Sequence, residues 1–156
     1  MEGIVIAIAG GAFAVFMGGM GSSIGIGYVG SAANGVLSED PDKFGNMLML
    51  VALPGTQGIY GFLVGFMVIL KLRLLGGDVA PVSVQQGLEI FGACMPIAFS
   101  GLVSAIHQGK VCAAGIAVAA KQPGDMMKAL IYGAFVETYA VLGLVITLLL
   151  LNGIKI

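Results

Sequence analysis

IVIAIAGGAFAVFMGGMGSSIGIGYVGSAANGVL, residues 4–37, runs for 34 positions without a charged side chain. About 20 apolar residues cross a bilayer as a helix, so this run spans with residues to spare. It stops abruptly at Ser38-Glu39-Asp40-Pro41-Asp42-Lys43, and the rest of the chain is punctuated in the same way. Residues 44–70 are again uncharged and close at Lys71 and Arg73, followed by Gly76-Gly77-Asp78. A third run starts around Glu89 and reaches Lys121-Gln122-Pro123-Gly124-Asp125, interrupted only by His107 and Lys110. The fourth, Ala129–Leu151, contains one charge, Glu137. The alternation of polar and apolar residues that a transmembrane barrel needs is absent.

Composition agrees with this reading. The 156 residues are 58% hydrophobic and 10% charged, whereas a soluble domain carries about 25% charge to coat its surface. A water-soluble globule is excluded, and so is a disordered chain, which needs low hydrophobicity and high charge. The 26 glycines keep no period of three, which excludes collagen. A net charge of −1 leaves no basic patch to follow nucleic acid. Met1-Glu2-Gly3 lacks the positive start of a secretory signal, so the first run is expected to stay in the mature protein. Cys94 and Cys112 share one apolar run with no CxxC pattern, and read as small packing residues.

These observations predict an all-α membrane protein of four transmembrane helices arranged as two tandem hairpins. The first hairpin takes residues 1–75, with spans at 4–37 and 44–70; the second takes 76–156, with spans at 87–120 and 129–151. The halves look like copies. At an offset of 82, eight of the 23 residues from Gly19 to Pro41 match, including Ser22/Ser104, Gly27/Gly109 and the turn prolines Pro41/Pro123. Two spans per copy make the repeats parallel. Cations do not orient them, because Lys43, Lys121 and Lys128 on one side face Lys71, Arg73 and Lys155 on the other.

The first and third spans carry stripes of small residues: Gly11, Ala14, Gly18, Gly21 and Gly25, and Ala98, Gly101, Ala105, Gln108, Cys112, Gly115 and Ala119. In lipid, helices associate through close packing of such residues. The stripes therefore mark tight packing, either within one protomer or around a common axis.

Glu137 is the informative residue. A carboxylate deep in a span costs at least about 2.5 kcal/mol and marks function by default. Its partners can be sought by depth. Glu137 lies 14 residues after Pro123, Gln108 lies 15 before it, and Gln57 lies 16 after Pro41. At 1.5 Å per residue all three sit roughly 21–24 Å from the turns, at one level in the membrane. Thr56 adjoins Gln57, and Tyr60 stands three residues further on the same helical face. Pro54-Gly55 can break the helix and free a backbone carbonyl such as that of Leu53. Amides, a hydroxyl and a carboxylate at one depth make an oxygen-rich cage, which suits a hard cation, and one carboxylate neutralises a monovalent one. At the same level the first copy has Ile26 and Gln57 where the second has Gln108 and Glu137, so one carboxylate serves four helices.

Other motifs carry less. Gly25-Ile26-Gly27-Tyr28-Val29-Gly30 matches GxGxxG, yet it lies inside an apolar span with no preceding strand, and glycine is abundant throughout the chain. No Walker A, HExxH or GxSxG pattern occurs, so no catalytic site is expected in this chain. His107 points about 100° from Gln108 on a helix and reads as a packing or neighbouring contact. Lys110 projects toward a polar interior or snorkels.

Leu53-Pro54-Gly55-Thr56-Gln57-Gly58-Ile59-Tyr60-Gly61, Gln108-Gly109-Lys110 and Val136-Glu137-Thr138-Tyr139-Ala140 closely resemble the duplicated proteolipid subunits of bacterial V-type sodium ATPases, as does Pro41-Asp42-Lys43-Phe44-Gly45 at the first turn. The resemblance implies a ring of identical subunits in the cell membrane, the rotor of a V-type ATPase, turned past a membrane stator subunit and joined to a central-stalk subunit. It implies that Na⁺ is held by the Leu53 carbonyl, Thr56, Gln57, Gln108 and Glu137, with Tyr60 bonding the carboxylate, and that both hairpin turns face the cytoplasm. His107 departs from the small residue that such proteins carry there. Two alternatives stay open: the same rotor carrying H⁺, since a buried glutamate can protonate, and a small secondary transporter with its site at midplane.

Overall fold

A computed structural model describes residues 2–156. Helix α1 runs Glu2–Leu37 and a 3₁₀ turn over Pro41–Lys43 reverses the chain. The second span is built from α2 (Phe44–Ala52), a 3₁₀ turn at Leu53–Gly55 and α3 (Thr56–Lys71). After a loop come α4 (Val84–Lys121), a 3₁₀ turn at Pro123–Asp125 and α5 (Met126–Gly153). Four helical segments are thus long and apolar enough to cross a membrane. Large apolar side chains such as Phe16, Phe62, Phe135 and Leu142 lie exposed on the outside of the bundle, as a lipid or neighbouring-protomer environment requires.

The third span starts at Val84 rather than at 87. Ser83 caps it: its hydroxyl accepts the Gln86 N–H at 3.2 Å, and the Gln86 side-chain oxygen accepts the Ser83 N–H at 2.9 Å. This reciprocal pair satisfies two of the N–H groups that a helix start leaves without partners. At 38 residues and 1.5 Å each, α4 is about 57 Å long, well beyond the hydrocarbon thickness of about 30 Å.

Small residues of α1, α3 and α4 pack closely against one another within the chain. A Cβ on Gly109 would collide with the backbone of Gly25, one on Gly25 with the Ala105 carbonyl, one on Gly87 with Gly3, and one on Gly61 with the Ala14 carbonyl. Glycine is needed at these places because α1 lies backbone to backbone against α4 on one side and α3 on the other.

Two apolar cores result. One includes Ala14, Val64, Val68, Ile90, Cys94, Ile97 and Leu151. The other includes Val29, Met47, Leu50, Cys112, Ile116 and Ala129. Both cysteines are free and buried, as packing residues should be.

Candidate ion site

Two prolines fall within the spans, and near each a hydroxyl from a neighbouring helix accepts a backbone N–H. Pro54 has no N–H to donate and breaks the second span. The break leaves Gly58 N–H to the Ser22 hydroxyl of α1, at 2.8 Å. Pro96 lies within α4, which continues unbroken through it, and the next N–H, that of Ile97, donates to the Thr147 hydroxyl of α5 at 3.2 Å. A buried backbone donor without a partner would be costly, so the Ser22 hydroxyl makes the break at Pro54 tolerable.

The break at Pro54 places the site. Gly25 makes room for it, since a Cβ there would come within 2.9 Å of the Pro54 ring. The next residues turn inward toward α4 and α5. Leu53 O accepts the Thr56 N–H and the Thr56 hydroxyl, the latter at 3.0 Å. The Leu53 carbonyl is therefore engaged by Thr56 and not left bare, because the 3₁₀ turn brings Thr56 back over it.

Gln57 and Gln108 are fully buried and bonded to each other, Gln57 Nε2 donating to Gln108 Oε1 at 2.7 Å. Gln57 Nε2 also donates to Ser104 Oγ at 3.3 Å, and Ser104 Oγ donates to the Val136 carbonyl at 2.9 Å. Gln108 Nε2 donates to the Gly133 carbonyl at 3.0 Å and to Glu137 Oε2 at 3.3 Å. The Tyr60 hydroxyl donates to Glu137 Oε1 at 2.6 Å, the length of a charge-assisted bond. All six residues singled out in the sequence thus meet in one network.

The count of donors and acceptors shows what this network can take. The four amide hydrogens of Gln57 and Gln108 and the hydroxyl protons of Tyr60 and Ser104 are committed to the partners just named. Thr56 has one proton and two candidate acceptors, Leu53 O at 3.0 Å and Gln57 Oε1 at 3.3 Å. Lone pairs on Gln57 Oε1, Gln108 Oε1, Thr56 Oγ1 and the carboxylate are left over. Among the described residues the ion pairs are Lys43–Asp40 and Lys128–Asp125, both beside the turns. Among the described residues none forms an ion pair with Glu137.

Ser104 and Ser22 were not read as site residues from the sequence. A signal existed: Ser104 precedes Gln108 by four, on the same helical face, and Ser22 is its counterpart at the offset of 82. His107 stays outside the network, exposed beside Val136 and Tyr139. Lys110 extends over the Tyr28 ring, 5.7 Å from its centroid. These two positions are also related by the offset of 82, so the contact joins equivalent points of the two halves across α1 and α4.

Comparison with known proteins follows this geometry. The profile of the family described as the C subunit of ATP synthase matches residues 3–68 and again residues 91–150. The chain is 49% identical over 148 residues to the V-type sodium ATPase subunit K of Enterococcus hirae, covering 95% of this chain and 91% of that protein. It is 36% identical to the A-type ATP synthase subunit K of Methanocaldococcus jannaschii, over 99% of this chain but 65% of the relative. Against the 16 kDa proteolipid of the V-type proton ATPase of Nephrops norvegicus, identity is 26% over 92% of this chain and 87% of the relative.

Proposed function

We propose, on the premise that this chain belongs to the ATP synthase C family, that each protomer carries one Na⁺ at Glu137 and moves it across the membrane as the ring turns. Members of the family are non-catalytic membrane proteolipids that form rings of identical subunits in rotary ATPases. The chain is accordingly an integral, multi-pass membrane protein. On this reading it holds no catalytic site of its own. Its partners are further copies of itself, a membrane stator subunit and the central stalk of a V-type ATPase, with both hairpin turns toward the cytoplasm. The division into hairpins 1–75 and 76–156 is part of the same proposal, supported by the double profile match and by the 3₁₀ turns at both Pro41 and Pro123.

One observation carries the ion assignment: the site holds more oxygen acceptors than donors, around a carboxylate that forms no ion pair among the described residues. A proton would occupy one carboxylate oxygen and leave Gln57 Oε1 to compete with Leu53 O for the single Thr56 hydroxyl proton, at a cost of about 1–3 kcal/mol for each unsatisfied group. A bound Na⁺ takes lone pairs from Thr56, Gln57, Gln108 and Glu137 together, and from the Leu53 carbonyl once the Thr56 hydroxyl proton turns from it to Gln57 Oε1, and leaves the carboxylate ionised. Tyr60 then acts as a latch that holds the carboxylate inward. Glu137 is half-buried, beside a shallow groove formed with Ala134, Thr138, Val141 and Leu142, so release of the latch lets it turn outward to exchange its ion. The name of the Enterococcus hirae relative supports Na⁺.

The test is protection against a carbodiimide, which modifies protonated carboxyls. Millimolar Na⁺ should protect Glu137 in the purified ring, and K⁺ at equal ionic strength should protect it poorly. Because protons compete for the same oxygen, more Na⁺ should be needed as pH falls. Labelling that follows pH and ignores Na⁺ would establish the proton-carrying rotor instead.

A further inference from the structure

We infer that Ser104 is a positioning residue that decides which end of the Gln57 amide faces the ion. The inference rests on the Na⁺ reading above and adds a determinant of ion affinity and selectivity outside the proposed ligands.

Ser104 is buried and has one hydroxyl proton. It gives that proton to the Val136 carbonyl at 2.9 Å, a group that can only accept. Lone pairs remain on Ser104 Oγ, and the Gln57 amide, 3.3 Å away, can meet them only with Nε2. Gln57 Oε1 is thereby turned the other way, toward Thr56. Reversing the amide would set its oxygen against the Ser104 lone pairs and against Gln108 Oε1, now 2.7 Å from Nε2. Gln108 cannot reverse in compensation, because its own Nε2 serves the Gly133 carbonyl and the Glu137 carboxylate.

Polarity therefore runs from two carbonyls of α5, through Ser104 and Gln108 of α4, to Gln57 of α3. Val136 adjoins Glu137 in sequence, so Ser104 ties an oxygen of α3 to the helix that bears the charge. Its repeat counterpart Ser22 holds the same segment from the opposite side, through Gly58 N–H. Without Ser104, one amide hydrogen of Gln57 loses its acceptor and the amide is free to swing about its remaining bond to Gln108.

The experiment compares rings carrying Ser104→Ala, Ser104→Thr and Ser100→Ala with the parent ring, using carbodiimide labelling of Glu137 against Na⁺ and against Li⁺ at fixed pH. Loss of one net hydrogen bond should raise the Na⁺ concentration for half-protection about three- to tenfold in Ser104→Ala. The preference for Na⁺ over Li⁺ should narrow, since a mobile amide no longer sets the cage size. Labelling without Na⁺ and migration of the ring should be unchanged, whereas a merely structural role would disturb assembly and leave the Na⁺/Li⁺ ratio alone. Threonine keeps the hydroxyl and should restore both values. Ser100 lies one turn away with an unpartnered hydroxyl, and its alanine variant should match the parent. If the Ser104→Ala ring does not assemble, Ser104→Cys keeps the size with a weak hydrogen-bonding group and carries the same expectation. Parent-like half-protection and ion preference in an intact Ser104→Ala ring would overturn the inference alone. A parent ring that Na⁺ does not protect would overturn the Na⁺ reading and this inference with it.

Discussion

Replacing Gln57 by leucine keeps much of its bulk and removes every polar atom it brings to the cage. The side chain is fully buried, so nothing from solvent can substitute for it. Two consequences follow from its bonds. The cage loses one neutral oxygen, and Gln108 Oε1 loses the donor 2.7 Å away that holds it in place. A neutral dipole on a charged group is worth about 1.5–3 kcal/mol. At 1.4 kcal/mol per decade, the Na⁺ concentration that half-protects Glu137 from a carbodiimide should rise about 10- to 150-fold. The stranded Gln108 oxygen also costs the fold about 1–3 kcal/mol, so ring integrity has to be followed in the same samples. Labelling without Na⁺ should persist, because Tyr60 and Glu137 keep their own bond. An intact Gln57→Leu ring with half-protection within about twofold of the parent, a difference of under 0.5 kcal/mol, would remove Gln57 from the cage.

Three further outcomes are expected. Glu137→Gln should assemble into rings at least as stable as the parent, since a buried ionisable group is removed, while ATP-coupled Na⁺ transport in reconstituted complexes is lost; normal transport would take Glu137 out of the mechanism. Gly109→Ala should loosen the protomer by about 1–3 kcal/mol through overpacking against the Gly25 backbone, seen as a lower temperature of ring dissociation, whereas Gly45→Ala meets open space and should leave that temperature unchanged. Tyr60→Phe removes the hydroxyl that latches the carboxylate and should speed Na⁺ exchange measured with ²²Na, with ring assembly intact; an unchanged exchange rate would rule out the latch.

Much of the architecture was legible because charge is so scarce. With four long runs and turns at Pro41 and Pro123, little freedom remained, and counting residues from the turns placed Gln57, Gln108 and Glu137 at one depth. The start of α4 was less legible, because Gln85, Gln86 and Glu89 look like loop residues until the Ser83 cap is seen. The direction of each hydrogen bond was not legible at all. That Thr56 closes back on Leu53 O depends on the 3₁₀ turn the chain takes after Pro54, and that Ser104 accepts from Gln57 while donating to Val136 depends on distances between helices that no spacing rule contains. Lys110 is a similar case: its partner Tyr28 lies on another span, and only close packing of α1 on α4 brings them together.

The two halves are unequal in a particular way. If the first hairpin were a copy that had merely lost its site, its polar residues would be free to drift apart from the second. Instead Leu53, Thr56, Gln57 and Tyr60 come from the first half, and Ser104, Gln108 and Glu137 from the second, and they meet in one network. The equivalent network facing the other way is missing, since Ile26 stands where Gln108 has its counterpart. Neither hairpin can therefore assemble the cage alone. The Pro54 break separates α2 from α3 just before Thr56 and Gln57, and the Ser22 bond to Gly58 holds the start of α3 from α1. The first hairpin thus supplies the neutral oxygens and the latch, and the second supplies the charge. On the proposed function, this division makes one ion per four helices a property of the fold, because Gln57, the first hairpin's polar side chain at this depth, is spent on Gln108 and Ser104, and Ile26 stands where a second site would need its own amide.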